Sequence, residues 1–301
     1  MNNKSTRKET STNNPVWRKK EIAAAFLFLM PSAGGFALFY VIPFGMGLVY
    51  SFQDGTLDGA FAGLANYREL LGSASFRKAA WNTALFTFMS VPVMIGSSLC
   101  LAILLNKSVY LRKWLRTAFI LPLVVPVASV VFIWQIGFDW NGAINAWMHS
   151  FGMERIDWMK SDWAIVTVTL IYVWKNMGYN VILFLAGLQN IPESYYEIAR
   201  LEGAGPCTSW RNITMVYLMP TLFFVVLMSI IGSFKVFRET YLIAGNYPHD
   251  SIYMLQHYMN NMFLSLDIQK LTAAASFMVG CIMILAAGLY LLERRFRTFM
   301  E

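Results

Sequence analysis

The sequence predicts an all-α polytopic membrane protein with six transmembrane helices. Three observations carry that expectation. Apolar residues fill 57% of the 301 positions and charged residues only 14%, whereas a soluble domain is about 25% charged. The apolar residues fall in runs of roughly 20, the length a helix needs to cross a hydrocarbon core. The 24 Lys and Arg residues are parcelled between those runs, so the net charge of +7 is a topology signal and not a nucleic-acid footprint.

Taken in order, residues 1–20 are a polar, basic tail. The first span is expected at 21–52, interrupted by Pro31 and Pro43. Residues 23–34 mimic a cleavable signal, but the apolar run continues well past them, as a spanning helix requires. A polar loop with an Asp54-Gly55 turn signal leads to the second span at 80–105, where Pro92 is tolerated because neighbouring helices re-satisfy the backbone. A short basic loop with Lys107, Arg112, Lys113 and Arg116 precedes the third span at 115–138, which contains Pro122 and Pro126. Trp140, Trp147 and Trp158 in the next loop suit an interfacial belt. The fourth span is expected at 163–188 and the fifth at 215–236, with the loop 189–214 between them. A longer aromatic loop leads to the sixth span at 271–292, followed by a basic tail to residue 301. In the sixth span Ala273, Ala274, Ala275, Ser276 and Gly280 form a small-residue run. Ser276 and Gly280, four apart, offer a face for close helix packing.

Basic residues set the orientation. The N-terminal tail, the basic loop, the loop 189–214 and the C-terminal tail hold fifteen Lys and Arg residues; the alternate loops hold eight, Lys235 included. The richer side is the cytoplasmic one. Both termini and the loop 189–214 are therefore expected in the cytosol.

That loop has structure of its own. Pro192 suits the first turn of a helix, and Ile191, Tyr195, Ile198 and Ala199 then form one apolar stripe. Glu197 and Arg200, three apart, can pair on the other side. Gly203 and Gly205 stop the helix and Pro206 prevents its continuing. A short amphipathic helix with exposed charge, set between two spans, reads as a docking surface.

The fourth span carries an unusual polar cluster: Tyr172, Trp174, Lys175, Asn176, Tyr179 and Asn180. Tyr172, Asn176 and Tyr179 are spaced i, i+4, i+7 and share a face, although Tyr and Trp also serve as anchors and fillers. A charge at mid-membrane costs roughly 2.5–3.5 kcal/mol on insertion scales. Lys175 therefore has three open roles: contact with a substrate, pairing with an acid on another subunit, or snorkelling to the outer surface. The first role would suit an acidic solute, with Lys235 and Arg238 adding charge on the same path.

Several chemistries are absent from the pattern. Three cysteines with no CxxC spacing argue against a disulfide framework or a zinc site. His149, His249 and His257 have no ligand spacing. No Gly-Lys dipeptide occurs, so there is no Walker A phosphate loop, and any ATP chemistry belongs to another chain. No nucleophile and base pair up within the spans, so no catalytic residue, metal or cofactor is expected here. A carrier driven by an ion gradient would want acids inside the membrane; none lies within the six spans away from their ends.

The loop 189–214 also resembles a signature of ABC importer permeases. Glu197-Ile198-Ala199, then Gly203, then Ile213 after nine residues follow its spacing, with Ile191-Pro192 and Tyr196 upstream. Ile198 replaces the usual Ala, and Met215-Val216 replaces the usual Leu-Pro, although Pro220 fits a later Pro. Elsewhere Pro43, Ser51-Phe52, Gly63-Leu64, Asn66-Tyr67, Asn82-Thr83, Phe86, the run 232–237 (GSFKVF), and Ala273-Ala274-Ala275 are similar to the first permease subunit of maltose-type carbohydrate importers. Gly245-Asn246-Tyr247-Pro248 stands where that family has Gly-Gly-Gly-Pro. The resemblance implies a type I ABC importer permease fold in a bacterial inner membrane. It implies a second homologous permease, two cytoplasmic ATPase subunits that bind ATP and Mg, an extracytoplasmic solute-binding protein and a sugar substrate. It assigns ATPase coupling to Tyr196, Glu197, Ala199, Gly203, Ala204 and Ile213. It assigns the substrate path to Tyr172, Lys175, Asn176, Tyr179, Gly232, Ser233 and Val236. A gradient-driven secondary sugar transporter is the alternative.

Overall fold

The computed structural model describes residues 15–55, 59–106 and 112–298. The start of the N-terminal tail, Lys107 of the basic loop and the last three residues lie outside them. Helix α1 (Pro15–Phe36) passes through a π-turn, Ala37–Val41, into α2 (Ile42–Tyr50). Pro43 has no N–H to donate, and the Ile42 N–H reaches back five residues to the Ala37 carbonyl, the bond that defines a π-turn. Short α3 (Ala65–Gly72) leads into α4 (Ala74–Asn106), one helix through Pro92.

The third span is broken, where a continuous one was expected. Helix α5 (Arg112–Val124) and α6 (Val127–Phe138) meet at a bend of 104°. Pro126 removes a helical donor and pushes Val125 out of the helical region, so the chain must turn there. After α7 (Ala143–Ser150), helix α8 (Ala164–Gln189) runs as one unbroken element.

The loop expected at 189–214 is almost entirely helical. It comprises α9 (Glu193–Leu201), a four-residue turn, α10 (Pro206–Ser209) and a π-turn, Trp210–Thr214, that runs into α11 (Met215–Ser233). Pro206 starts this second helix at its first turn, where a missing N–H is harmless, and the fifth span is helical from there on. Met215-Val216, in place of Leu-Pro, leaves the chain free to stay helical: the Met215 N–H bonds the Trp210 carbonyl. Helices α12 (Phe237–Ala244), α13 (Leu255–Leu264) and α14 (Ile268–Thr298) complete the order. Among the described residues five helical stretches are long and apolar enough to cross a membrane, six with the bent pair.

Burial ranks these helices. The apolar window of α8 is 61% buried, that of α4 33%, and those of the first and last spans contain no buried residue. Helix α8 is thus the axis. Its N-terminal half packs with Phe86 and Met94 of α4 and with Val236, Ile252 and Met254. Its C-terminal half packs with Ala102 and Leu105 of α4 and Leu218 and Val225 of α11. A third cluster joins Leu70, Phe76, Leu255 and Tyr258 to α14 through fully buried Ala273 and Ala274. The packing face of the last span is therefore Ala273/Ala274 rather than Ser276/Gly280, since a Cβ on Gly280 would meet nothing. Trp158 packs between Phe138, tilted, and Trp163, edge-on, instead of standing in a belt, and Trp140 and Trp147 are exposed.

Contact between α8 and α5 depends on Gly178. A Cβ there would overlap the Phe119 backbone carbonyl of α5. Backbone cannot yield as a flexible side chain can, so the two helices must separate. Gly178→Ala is expected to cost about 1–3 kcal/mol, read as a lower midpoint for thermal unfolding in detergent. An unchanged midpoint would show that this contact carries no strain.

Candidate functional site

A cavity of about 480 Å³ opens where α8, the end of α11, α12 and α13 come together. From α8 it takes Tyr172, Lys175 and Asn176, from α11 Gly232, and beyond it Lys235, Phe237, Arg238 and Glu239, with Gln256 from α13. Helical spacing puts Tyr172, Lys175 and Asn176 on one side of α8, at i, i+3 and i+4. Asn176 Nδ2 donates to the Tyr172 carbonyl at 2.8 Å, which fixes its amide against the helix. Tyr172 is wedged edge-on against Phe86, 5.4 Å between centroids. Its hydroxyl lies 2.6 Å from where a Cβ on residue 232 would sit. Gly232 is therefore required for Tyr172 to reach the cavity in this pose.

Lys175 lines the cavity and has a partner that none of its three expected roles included. Its Nζ donates to Glu239 Oε1 of the same chain at 2.7 Å. Lys175 is only 9% exposed and Glu239 5%. An unpaired charge at that depth would cost several kcal/mol in lost solvation, and the opposite charge offsets it. Glu239 lies in the first turn of α12, where the helix dipole also favours a carboxylate. Glu239 went unrecognised in the sequence because it follows the fifth apolar run, 64 residues from Lys175. Its only local trace is its place in KVFRET, directly after that run.

Of the seven positions assigned to a substrate path, Tyr172, Lys175, Asn176 and Gly232 line the cavity. The other three point elsewhere. Val236 is buried in the core against the elements packed on α8. The Ser233 hydroxyl is spent inside the protein, donating to the Ile230 carbonyl and lying 2.9 Å from that of Thr87. Tyr179 is 39% exposed and away from the cavity. Its i+7 place on the stripe carries it beyond the cavity's end. Lys235 and Arg238 do stand at the same cavity, both exposed. Asn180 is turned inward and donates to the Ser229 hydroxyl of α11 at 3.0 Å.

The second candidate surface is α9, two residues after the end of α8's C-cap. Pro192 is its N-cap, not its first helical residue. The inward side is Ile191 and Ala199, buried, with partly buried Tyr196; Ile198 faces outward, and half-exposed Tyr195 lies against Tyr217 of α11, 5.2 Å between ring centroids. The Tyr196 hydroxyl lies 2.8 Å from that of Thr214, and Ile213 packs into the same core cluster. Arg200 Nε donates to the Tyr196 carbonyl instead of pairing with Glu197. At the C-terminus the Gly203 N–H bonds the Arg200 carbonyl and the Ala204 N–H bonds the Ala199 carbonyl, a Schellman cap. Gly203 has φ +79° and open space around it. Its requirement is thus the left-handed backbone, not lack of room for a side chain. The outward face carries Glu197, Ile198 and Leu201, the last 89% exposed and unremarked in the sequence pattern.

Residues 94–298 match the family described as binding-protein-dependent transport system inner membrane component. The chain is 34% identical over 248 residues to the arabinooligosaccharides transport system permease protein AraP of Bacillus subtilis (strain 168), covering 80% of this chain and 78% of that one. It shares its fold with a chain of a bacterial ABC transporter involved in import of the acidic polysaccharide alginate, with a TM-score of 0.81 and 20% identity, over 94% of this chain and 99% of that one. A second structure, the alginate transporter in complex with an alginate pentasaccharide-bound periplasmic protein, gives a TM-score of 0.80 at 20% identity, over 94% and 98%.

His257 backs the cavity wall from α13. It is fully buried, edge-on to Phe237 at 5.0 Å and near Tyr253 at 6.0 Å. Burial pushes its imidazole down to about 4 from the ordinary 6.5, so it is neutral at pH 7. The unfolded chain takes up a proton below 6.5 and the folded one only near 4. Stability is therefore lost as pH falls through that window, by at most about 1.4 kcal/mol per unit. The thermal midpoint in detergent is expected to drop between pH 6.5 and 4, and His257→Phe to flatten the slope. Equal slopes would mean that this ring is not the group responsible.

Proposed function

The chain belongs to the family of binding-protein-dependent transport system inner membrane components, and from that premise we propose that it imports a sugar or oligosaccharide as one permease of an ATP-driven transporter. It is a transport subunit and not an enzyme. ATP and Mg bind a separate pair of cytoplasmic ATPase subunits. A second, homologous permease completes the gate, and an extracytoplasmic solute-binding protein delivers the sugar. The chain is multi-pass in a bacterial inner membrane with both termini in the cytosol.

One observation carries this reading. A single unbroken helix, α8, bears the cavity residues Tyr172, Lys175 and Asn176 at its middle and hands over directly to α9 at its end. Fourteen residues separate Lys175 from Gln189, about 21 Å at 1.5 Å per residue. Any displacement of α9 is delivered to the cavity wall through a rigid rod. In the cycle this supports, ATP closes the ATPase dimer, α9 moves with it through its exposed Glu197, Ile198 and Leu201, and the bundle opens outward to receive the sugar. Tyr172, Asn176, Lys175 and Glu239 line the cavity with hydrogen-bonding groups, which a polar ring needs to leave water. The rim cations Lys235 and Arg238 suit a saccharide with an acidic group near the entrance.

The test is uptake into proteoliposomes holding the complete importer. Uptake is expected to require ATP inside the reach of the ATPase and to ignore proton and sodium gradients; gradient-driven uptake without ATP would overturn the proposal in favour of a secondary carrier. Gly203→Val is expected to strain the α9 cap by about 1–2 kcal/mol and to cut uptake at least tenfold while ATP hydrolysis continues. Gly203→Asn, which tolerates the left-handed conformation, is expected to lie near the wild type. Equal behaviour of the two variants would remove the cap from the coupling route.

A further inference from the structure

We infer that Glu239 is a specificity-determining residue of the cavity: by holding Lys175 it makes the floor of the site electrically balanced, receptive to hydroxyl groups and closed to an anion at that depth. The inference rests on the reading of this cavity as the carbohydrate site and adds to it the residue that sets charge preference.

The cavity has three cations, Lys175, Lys235 and Arg238, and one acid, Glu239. Lys235 and Arg238 are exposed at the rim. Lys175 and Glu239 are the buried pair, 2.7 Å apart. A lone ammonium on that floor, with little water to screen it, would attract a carboxylate, phosphate or sulfonate far more strongly than a surface lysine does. With Glu239 in contact, an incoming anion gains Lys175 only by displacing a carboxylate. It would leave that carboxylate buried and unpaired, a loss that offsets the gain. A hydroxyl meets no such exchange. It donates to a carboxylate oxygen and accepts from an ammonium N–H that Glu239 leaves free, since Lys has three donors.

Two further features make Glu239 a fixed part of the floor. It stands in the first turn of α12, and the neighbouring Thr240 is fully buried with its hydroxyl donating to the Val236 carbonyl, so the turn that carries the carboxylate is anchored. A purely structural seal between α8 and α12 would also not favour an ion pair. An apolar pair of similar volume avoids the desolvation of two charges and is often as stable or more so. Charges retained at the wall of an open cavity are better explained by what enters the cavity.

The experiment compares uptake of galactotriose and of trigalacturonate by the complete importer in proteoliposomes. The same solute-binding protein, kept loaded, serves every variant, so its own preference cancels between variants. Glu239→Gln frees the ammonium and is expected to raise the ratio of acidic to neutral uptake at least tenfold. Lys175→Gln leaves the carboxylate alone and is expected to lower that ratio by a similar factor, which keeps the question answerable if Glu239→Gln does not assemble. The double variant Lys175→Met/Glu239→Gln leaves no charge unpaired and is expected within about twofold of the wild-type ratio. Single variants that change both uptakes together, with the ratio unmoved, would reduce the pair to a structural tie and overturn the inference. A wild-type importer that moves neither saccharide would instead sink the carbohydrate reading, and this inference with it.

Discussion

The polar groups on α8 must find their partners within the protein, because this helix is the most enclosed of the spans and has little lipid or water on most of its sides. That constraint organises the middle of the molecule. Lys175 is answered by Glu239, Asn180 by Ser229, and Asn176 by its own Tyr172 carbonyl. Two of these three bonds tie α8 to the fifth span or its extension. The same enclosure is what lets a cavity persist there. Its wall is a set of paired polar groups on two braced helices, with Phe86 behind Tyr172 and His257 behind Phe237.

Enclosure also explains which parts of the molecule could be read from residue order. Hydropathy located the apolar runs because lipid exposure is a property of each residue summed along a run. The turn at Gly203 was legible because a left-handed cap is a local conformation with a preferred residue. Pro126 was visible inside the third span, but a proline can kink a helix or end it, and residue order alone did not say that the chain would bend by 104° there. Lys175 was visible as a charge that needed an answer. Its partner was not, because pairing across 64 residues depends on where α12 docks. The stripe Tyr172, Asn176, Tyr179 was a correct statement about one side of a helix. It did not say how far along that side the cavity reaches, and the cavity ends before Tyr179. Ser233 and Val236 lie off this cavity for a related reason: at the end of α11 the neighbouring Gly232 and Lys235 line the opening while these two face Thr87 and the core.

The segment after α8 shows how few contacts are needed to hold a short helix in place. Helix α9 is only nine residues long, too short to hold together in isolation. It is stabilised at one end by its Schellman cap and along its side by Ile191, Tyr196 and Ala199 against the core. Its outward face has no such support and leaves Leu201 almost fully exposed. A large exposed leucine beside an acidic residue, on a helix whose other face is anchored, has the makeup of an interface core with a charged rim.

The two anchors of α9 lie on different helices, and that determines what motion it can transmit. The three-residue connection Asn190–Pro192, with Ile191 buried in it, ties its start to α8; the Tyr196–Thr214 contact and Ile213 tie its side to the beginning of the fifth span. These are the two spans whose far portions meet across the cavity, through Tyr172 against Gly232 and Lys175 against Glu239. A force on α9 is therefore applied to both walls at once. Were α9 held by α8 alone, it would swing about the short connection and dissipate the push. The π-turn at Trp210–Thr214 contributes an extra residue to the helical turn next to the second anchor, a point where the fifth span can change its pitch without breaking its backbone bonds. In the proposed cycle, a short helix braced on two longer ones, one of them with a π-turn at its base, would alter the spacing of the walls rather than only tilt them together, and spacing is the quantity that would open or close the cavity between them.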